Sequence, residues 1–495
     1  MANESQTERP RRARQRLLTL DAGSDPRHAS WLELFFDLVF VLVVAKVAAV
    51  LATETDLLGF AKYLALFVPV WWLWVGYTFY ADRFESEEPE YRILTFVAML
   101  FVAAMALRIG GAFTAHGSAV FAASYALVLL LLAVQYARTA YYVPLARRLS
   151  MQFVIGLSLS ASIFLLSLLF ETPTRYAIWA VAVIVSLATP FFNVKLARII
   201  PIDHTHIPER FGLFTIIVLG EAVIATANGA GEVPWTLVTS GTATLGFAMA
   251  ACIWWINFEF VEDNAIKQAA LLPRFIYLYG HFFIVASIVA IGIGVEHAIK
   301  ESVEAHLHLP TLFLLGGGIT TFLAAIIIIR LISGICTLIW IRLVAIALCM
   351  LVTFAGMYLP PMATVAAFLA ILVGNVLLES KYFEEGEDIE VAPSLYPCEH
   401  ETDAIIFEPR SRAGCEDCVK NNYKWVHLRL CLGCGYVGCC DSSKYTHATK
   451  HFKATGHPIM ASLEANEDWA WCYEDERFVP LEERVGTMSG EIIES

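Results

Sequence analysis

Charge is scarce in this chain. Of 495 residues only 16% are charged, while 58% are hydrophobic. That balance excludes an ordinary soluble domain, and the apolar residues come as long uninterrupted runs. A basic excess is also lacking. The net charge is −13, and residues 381–495 hold most of it, with 22 acidic and 11 basic side chains. Phosphate binding needs a basic face, so nucleic acid is not an expected partner. The polar C-terminal stretch lacks a glycine-rich phosphate loop and a Ser/His/Asp arrangement, so the chain is not expected to be an enzyme. No cleavable leader is expected either. Arg9, Arg11, Arg12, Arg14 and Arg16 precede an apolar run too long for a signal-peptide core, which reads as an uncleaved first helix.

What is present is a series of runs of about 20 apolar residues, each long enough to cross the hydrocarbon. They lie near 31–52, 59–81, 91–113, 118–140, 151–170, 175–196, 210–228, 235–259, 274–296, 309–330, 334–358 and 361–379. The expected fold is an all-α polytopic membrane protein of about 12 transmembrane helices, followed by a small α+β zinc-finger domain. With a cytoplasmic N-terminus, the inside loops carry Arg83, Arg92, Arg138, Arg147, Arg148, Lys195, Arg198, Arg210, Lys267 and Arg274, against Arg175 and Lys300 outside. This positive-inside bias predicts the cell (inner) membrane with both termini cytoplasmic. The stretch Trp74–Asp82 aligns without gaps on Trp255–Asp263, Arg92 on Arg274, and Glu33 with Phe35 on Glu209 with Phe211. Near-constant offsets suggest a 6+6 repeat. Six crossings per half make the two halves parallel.

Ionisable groups inside a bilayer cost a few kcal/mol each unless paired or hydrated, so they are the first functional candidates. Glu33 and Asp37 are four residues apart and share a helix face. Glu33 is expected at the solvated interface, with Asp37 a turn deeper. Glu221 and His281 are expected deep in the second half. These four residues either fasten helices together, line a pathway for protons or ions, or form a catalytic acid/base site, which leaves the membrane part open as to enzyme activity. The segment Ser30-Trp-Leu-Glu-Leu-Phe-Phe-Asp-Leu-Val-Phe-Val41, together with Arg210-Phe-Gly-Leu-Phe-Thr-Ile-Ile-Val-Leu-Gly-Glu221, resembles the bacterial low temperature requirement A family. The resemblance covers about residues 28–380. It implies a multi-pass membrane protein and names no molecular activity.

Cysteine divides at the same boundary. Cys252, Cys336 and Cys349 lie in apolar runs and read as small hydrophobes. The other eight fall between Cys398 and Cys472. In a reducing compartment, paired Cys-x-x-Cys turns interleaved with histidines read as zinc ligands. The candidates are Cys398, His400, Cys415, Cys418, Cys431, Cys434, Cys439, Cys440, His447, His451, His457 and Cys472. Zinc would supply the folding energy that a thin core lacks.

The segment 396–480 resembles the ubiquitin-specific-protease-type zinc finger. The carrying residues are Cys398-x-His400, Cys415-x-x-Cys418, Trp425, Cys431-Leu-Gly-Cys434-Gly-Tyr-Val-Gly-Cys439, His447-x-x-x-His451, Gly456-His457-Pro458 and Trp471-Cys472-Tyr473. By that resemblance one Zn2+ takes Cys415, Cys418, Cys439 and His447, and a second takes Cys431, Cys434, His451 and His457. A third takes Cys398, His400 and Cys472, with Asp475 where the family has a cysteine. Two tight zincs and a weaker third are expected. Trp425, Trp471 and Tyr473 are the candidate peptide-binding aromatics. The family's eukaryotic members hold the carboxyl end of ubiquitin through an arginine, and Asp441 stands in its place. An aspartate repels a carboxylate, so a protein or peptide tail is the expected partner rather than the ubiquitin carboxyl end.

The expected organisation is a basic tail 1–30, membrane halves 31–206 and 207–380, an acidic linker 381–395, the finger 396–480 and a tail 481–495. Two functions fit it. One is a transporter or channel-like protein with a regulatory finger. The other is a membrane-anchored sensor or adaptor that transports nothing.

Overall fold

Ser30 starts the first helix. Its hydroxyl accepts the Glu33 N–H at 3.3 Å, and the Glu33 carboxylate accepts the Ser30 N–H at 2.8 Å, closing a reciprocal cap. The computed structural model describes residues 28–86, 88–193, 202–203, 206–260, 271–332, 338–384, 398, 400, 408–421, 423–441, 443–463, 469–474 and 477–480. The helices are α1 (Trp31–Thr53), α2 (Leu57–Phe84), α3 (Pro89–Ala106), α4 (Ala115–Tyr142), α5 (Arg147–Leu166), α6 (Thr174–Ala188), α7 (His206–Gly231), α8 (Leu237–Phe260), α9 (Leu271–Lys300), α10 (Leu309–Ile332), α11 (Ile339–Ala355) and α12 (Pro361–Glu384). Among the described residues, 11 helices are long and apolar enough to cross a membrane, and α11 is a shorter apolar helix. The chain is a multi-pass membrane protein.

Hydrocarbon offers no water, so polar groups must be satisfied within the protein. α2 shows how. The Tyr77 and Tyr80 hydroxyls donate to the carbonyls of Val128 and Gln135 on α4, and Tyr63 donates to Ala286 on α9 at 2.9 Å. In return the Tyr125 hydroxyl of α4 donates to the Pro69 carbonyl. Small residues let α7 and α9 approach closely. A Cβ at Gly292 would lie 2.8 Å from the Ala222 Cα, and one at Gly229 would lie 2.8 Å from the Glu296 carbonyl oxygen.

Some boundaries differ from the sequence expectation. α3 ends at Ala106, about two turns before the apolar run does, and Arg108 precedes a short 3-10 turn. α7 begins four residues earlier than expected, which brings Arg210 inside the helix. The aligned repeat positions do not share surroundings, since Trp74 is fully buried and Trp255 is 47% exposed. Asp263 lies outside the described residues.

The C-terminal domain carries two short helices, α13 (Glu416–Asn421) and α14 (His447–Thr455). Its strands are β1 (Leu428–Cys431), β2 (Val437–Cys439), β3 (Ile459–Ser462), β4 (Trp469–Cys472) and β5 (Arg477–Pro480). They form one antiparallel sheet in the order β2-β1-β3-β4-β5. Its apolar core is small: Leu430, Leu432, Val437, Ile459, Ala461 and Ala470 packed with Cys398 and Cys472. A core this size leaves folding energy to be found elsewhere.

Candidate functional site

Two places gather chemistry. The first is a buried ionic cluster where α1, α2 and α7 meet. The early start of α7 puts His206 and Arg210 one turn apart on one face. Arg210 reaches Glu33 Oε1 at 2.9 Å and Asp37 Oδ1 at 2.6 Å. The Trp74 indole N–H of α2 donates to the same Asp37 oxygen at 2.7 Å, and its ring stacks on Phe214. The His206 ring lies between two carboxylates, with Nδ1 2.9 Å from Asp82 and Nε2 3.3 Å from Glu33. The Asp82 carboxylate also accepts the Asp203 N–H. Glu33 is 3% exposed, Arg210 and Asp37 1%, and Asp82 and His206 0%. Among the described residues, Asp37 Oδ2 and Arg210 Nε have no hydrogen-bond partner.

The structure corrects two expectations here. Glu33 lies in the first turn of α1 but is not solvated; Arg210 and His206 enclose it. Arg210 is not a loop charge; it is a helical side chain drawn inward by two carboxylates. Sequence reading also missed His206 and Asp82. The available signals were the Ser30-x-x-Glu33 capping pattern, which fixes the orientation of Glu33, and the i, i+4 pair His206 and Arg210 at the head of the second signature segment. Glu221 is buried on α7, 11 residues past Arg210 and so roughly 16 Å further along. Its Oε2 has no hydrogen-bond partner among the described residues. His281 is buried on α9 with its ring edge-on to Phe211, 5.2 Å between centroids. The structure therefore joins Glu33 and Asp37 in one cluster, places His281 beside the helix that carries it, and holds Glu221 apart.

The second place is the finger. The Cys431-x-x-Cys434 turn at the end of β1 is tight because Gly435, at φ +77°, lets its N–H return to the Cys431 carbonyl at 2.7 Å. Each ligand group draws on separate elements. Cys415 and Cys418 flank the start of α13, Cys439 ends β2 and His447 begins α14. The three sulfurs lie 3.2, 3.2 and 3.4 Å from His447 Nδ1. Ordinary zinc bond lengths at tetrahedral angles place S and N about 3.5 Å apart, so the donors fit one ion. In the second group Cys431 is 3.6 Å from His457 Nδ1 and Cys434 is 3.2 Å from His451 Nε2. Cys398, His400 and Cys472 form a third group, with Cys472 3.7 Å from His400 Nδ1. Asp475 lies outside the described residues. Cys440 is buried beside Ser443 and belongs to none of the groups.

Burial pushes the Cys415 thiol up, Cys418 to about 12 and Cys431 to about 11, and it lowers His447 and His451. Each of these shifts disfavours the charged form of a buried group. Thiolates crowded this closely call for a central cation. Tyr436 stacks flat on His451 at 4.2 Å and donates its hydroxyl to Asp417, fixing that imidazole from behind. The candidate peptide-binding aromatics have different neighbours. Tyr473 stacks on Phe452 and bonds to Asp441, Trp425 covers Gly414, and Trp471 lies in β4 opposite Met460.

The fold and both sites define a multi-pass membrane protein bearing a Cys/His metal-binding finger. Residues 28–377 match the family described as bacterial low temperature requirement A protein, and the chain belongs to that family. Residues 415–483 match the Zn-finger found in ubiquitin-hydrolases and other proteins. An uncharacterized protein of Rhizobium meliloti (strain 1021) is 27% identical over 333 residues, covering 63% of this chain and 79% of the relative. A protein of Rhodopseudomonas palustris solved by NMR is 45% identical over 20% of this chain and 95% of its own, with a TM-score of 0.18.

Proposed function

We propose that the chain is a transporter or channel-like membrane protein whose finger is a cytoplasmic regulatory or tethering module. The observation that carries this reading is the ionic cluster of Glu33, Asp37, Asp82, His206 and Arg210. Its members come from three helices and are sealed from solvent. The cluster lies at the helix ends, with Glu33 in the first turn of α1, Asp82 in the last turn of α2 and His206 at the start of α7; buried ionisable groups there are read as the mouth of a substrate or ion pathway. Glu221, with an unpartnered carboxylate oxygen, continues polar chemistry along α7. The pairing of α1 with α7, the first helices of the two expected halves, suits a parallel 6+6 repeat about an axis between them. No catalytic role is assigned to the membrane part or to the finger.

The finger is proposed to hold two zincs tightly and a third weakly, because Asp475 is a poorer zinc donor than a thiolate. Its partner is proposed to be a protein or peptide tail; Asp441 disfavours a free carboxyl end. Loop arginines and lysines support cytoplasmic termini in the cell membrane even with Arg210 removed from the count. A reporter fused after Ser495 should be active only inside the cell.

A second reading is an anchored adaptor that transports nothing. The ion pairs themselves favour it, since Arg210 fastens α7 to α1, and Arg342 fastens α11 to α12 through Glu379 at 2.6 Å. Flux separates the two. Proteoliposomes of the full chain should pass solute or ions, and Glu221→Gln or Asp37→Asn should abolish that flux with insertion intact. Unchanged flux in both variants removes the pathway, and lost insertion favours the adaptor.

A further inference from the structure

The two nitrogens of an imidazole ring point in different directions, and a neutral ring has one N–H donor and one lone-pair acceptor. His206 directs both nitrogens at carboxylates, Nδ1 to Asp82 and Nε2 to Glu33. A neutral ring between two carboxylates would aim its lone pair at one of them. The contact is satisfied on both sides only if a proton is added, either to the ring or to a facing carboxyl group. We infer that the Glu33–His206–Asp82 relay is a proton-binding site, and that transport through this chain is coupled to protons. The inference rests on the transport reading above and names its coupling ion.

The geometry selects a proton over a metal cation. The two carboxylates face different ring nitrogens, so they do not converge on one ion with the imidazole. Arg210 already occupies the other Glu33 oxygen and Asp37. Among the described residues, the charged groups around the ring include Glu33 and Asp37 on α1, Asp82 at the end of α2, Asp203 before α7, and Arg210 one turn along α7. Proton transfer along the relay is balanced within it. The ring N–H bond breaks, an O–H bond forms on Asp82 or Glu33, and imidazolium plus carboxylate become neutral imidazole plus carboxylic acid. Because the ring belongs to α7 and the carboxylates to α1 and α2, occupancy by the proton also governs how firmly α7 is held.

Two measurements on the full chain test this. The first is 15N NMR of histidine-labelled protein in bilayers at neutral pH, compared with His206→Gln. The site predicts a proton-shared histidine signal that is missing from the variant. A neutral His206 with an ordinary lone pair overturns the inference whatever the flux. The second is acidification of a lumenal dye in proteoliposomes under an imposed potassium diffusion potential. Wild type should acidify the lumen, and His206→Gln should slow it by roughly a hundredfold, the scale of losing a positioned proton-transfer group. Asp82→Asn should do the same if the first variant fails to insert. Solute flux indifferent to a pH gradient overturns the coupling and leaves the transport reading standing. A proton-shared histidine with no flux of any kind removes the transport reading, and the coupling falls with it.

Discussion

Cys415, Cys418 and Cys439 surround one imidazole nitrogen of His447 and share no other means of tolerating three thiolates in so small a volume. Cys415→Ser should therefore cost the finger a whole zinc and unfold it, read as loss of amide dispersion in a labelled finger segment and a lower metal count. Asp475→Cys should tighten the third site, read as slower metal loss to a chelator. Acid acts with a definite sign. Burial lowers His447 and His451, so the unfolded chain binds protons there that the folded chain refuses. Stability from these residues is present above the ordinary histidine range and is lost as pH falls below about 6.5. Zinc displacement by protons runs in the same direction. The ligand residues could be picked out from the sequence because Cys-x-x-Cys spacing carries its own geometry. Arg210 could not. Its role depends on carboxylates 173 and 177 positions away, and the i, i+4 spacing with His206 gives a shared helix face without naming those partners.

At the scale of elements, the α7–α9 seam is held by absence of side chain. Gly292→Val would drive a methyl group into Ala222, and overpacking of this kind costs about 1–3 kcal/mol. Thermal unfolding in detergent should show the loss, while Gly220→Ala, where a Cβ meets nothing within 4 Å, should be neutral or slightly stabilising. Arg210→Ala should cost on the order of 3 kcal/mol by leaving Glu33 and Asp37 without their cation. Replacing all three by apolar residues of similar size should recover much of that loss. Most of the helices were legible as apolar runs, because the bilayer dictates their length. Their ends were less so, since α7 begins in the polar stretch His206-Ile-Pro-Glu209 and α3 stops inside an apolar one. The seams were not legible. Which face of an almost wholly apolar helix meets a neighbour is decided by distant glycines and by buried ion pairs, not by periodicity.

At the scale of the whole molecule, one chain carries a membrane part with a buried ionic cluster and a finger with Cys/His metal-ligand groups, and the finger is proposed to regulate a pathway through the membrane part. Zinc is the means of testing that proposal, because chelation should remove the finger's fold without touching Glu33, Asp37, His206 or Arg210. The decisive measurement is ion flux through proteoliposomes of the full chain, with a lumenal pH dye, before and after zinc is stripped and again after it is restored. The account predicts flux in the zinc-loaded protein, a change in rate on stripping, and recovery on readdition. No flux in any of the three states would contradict it.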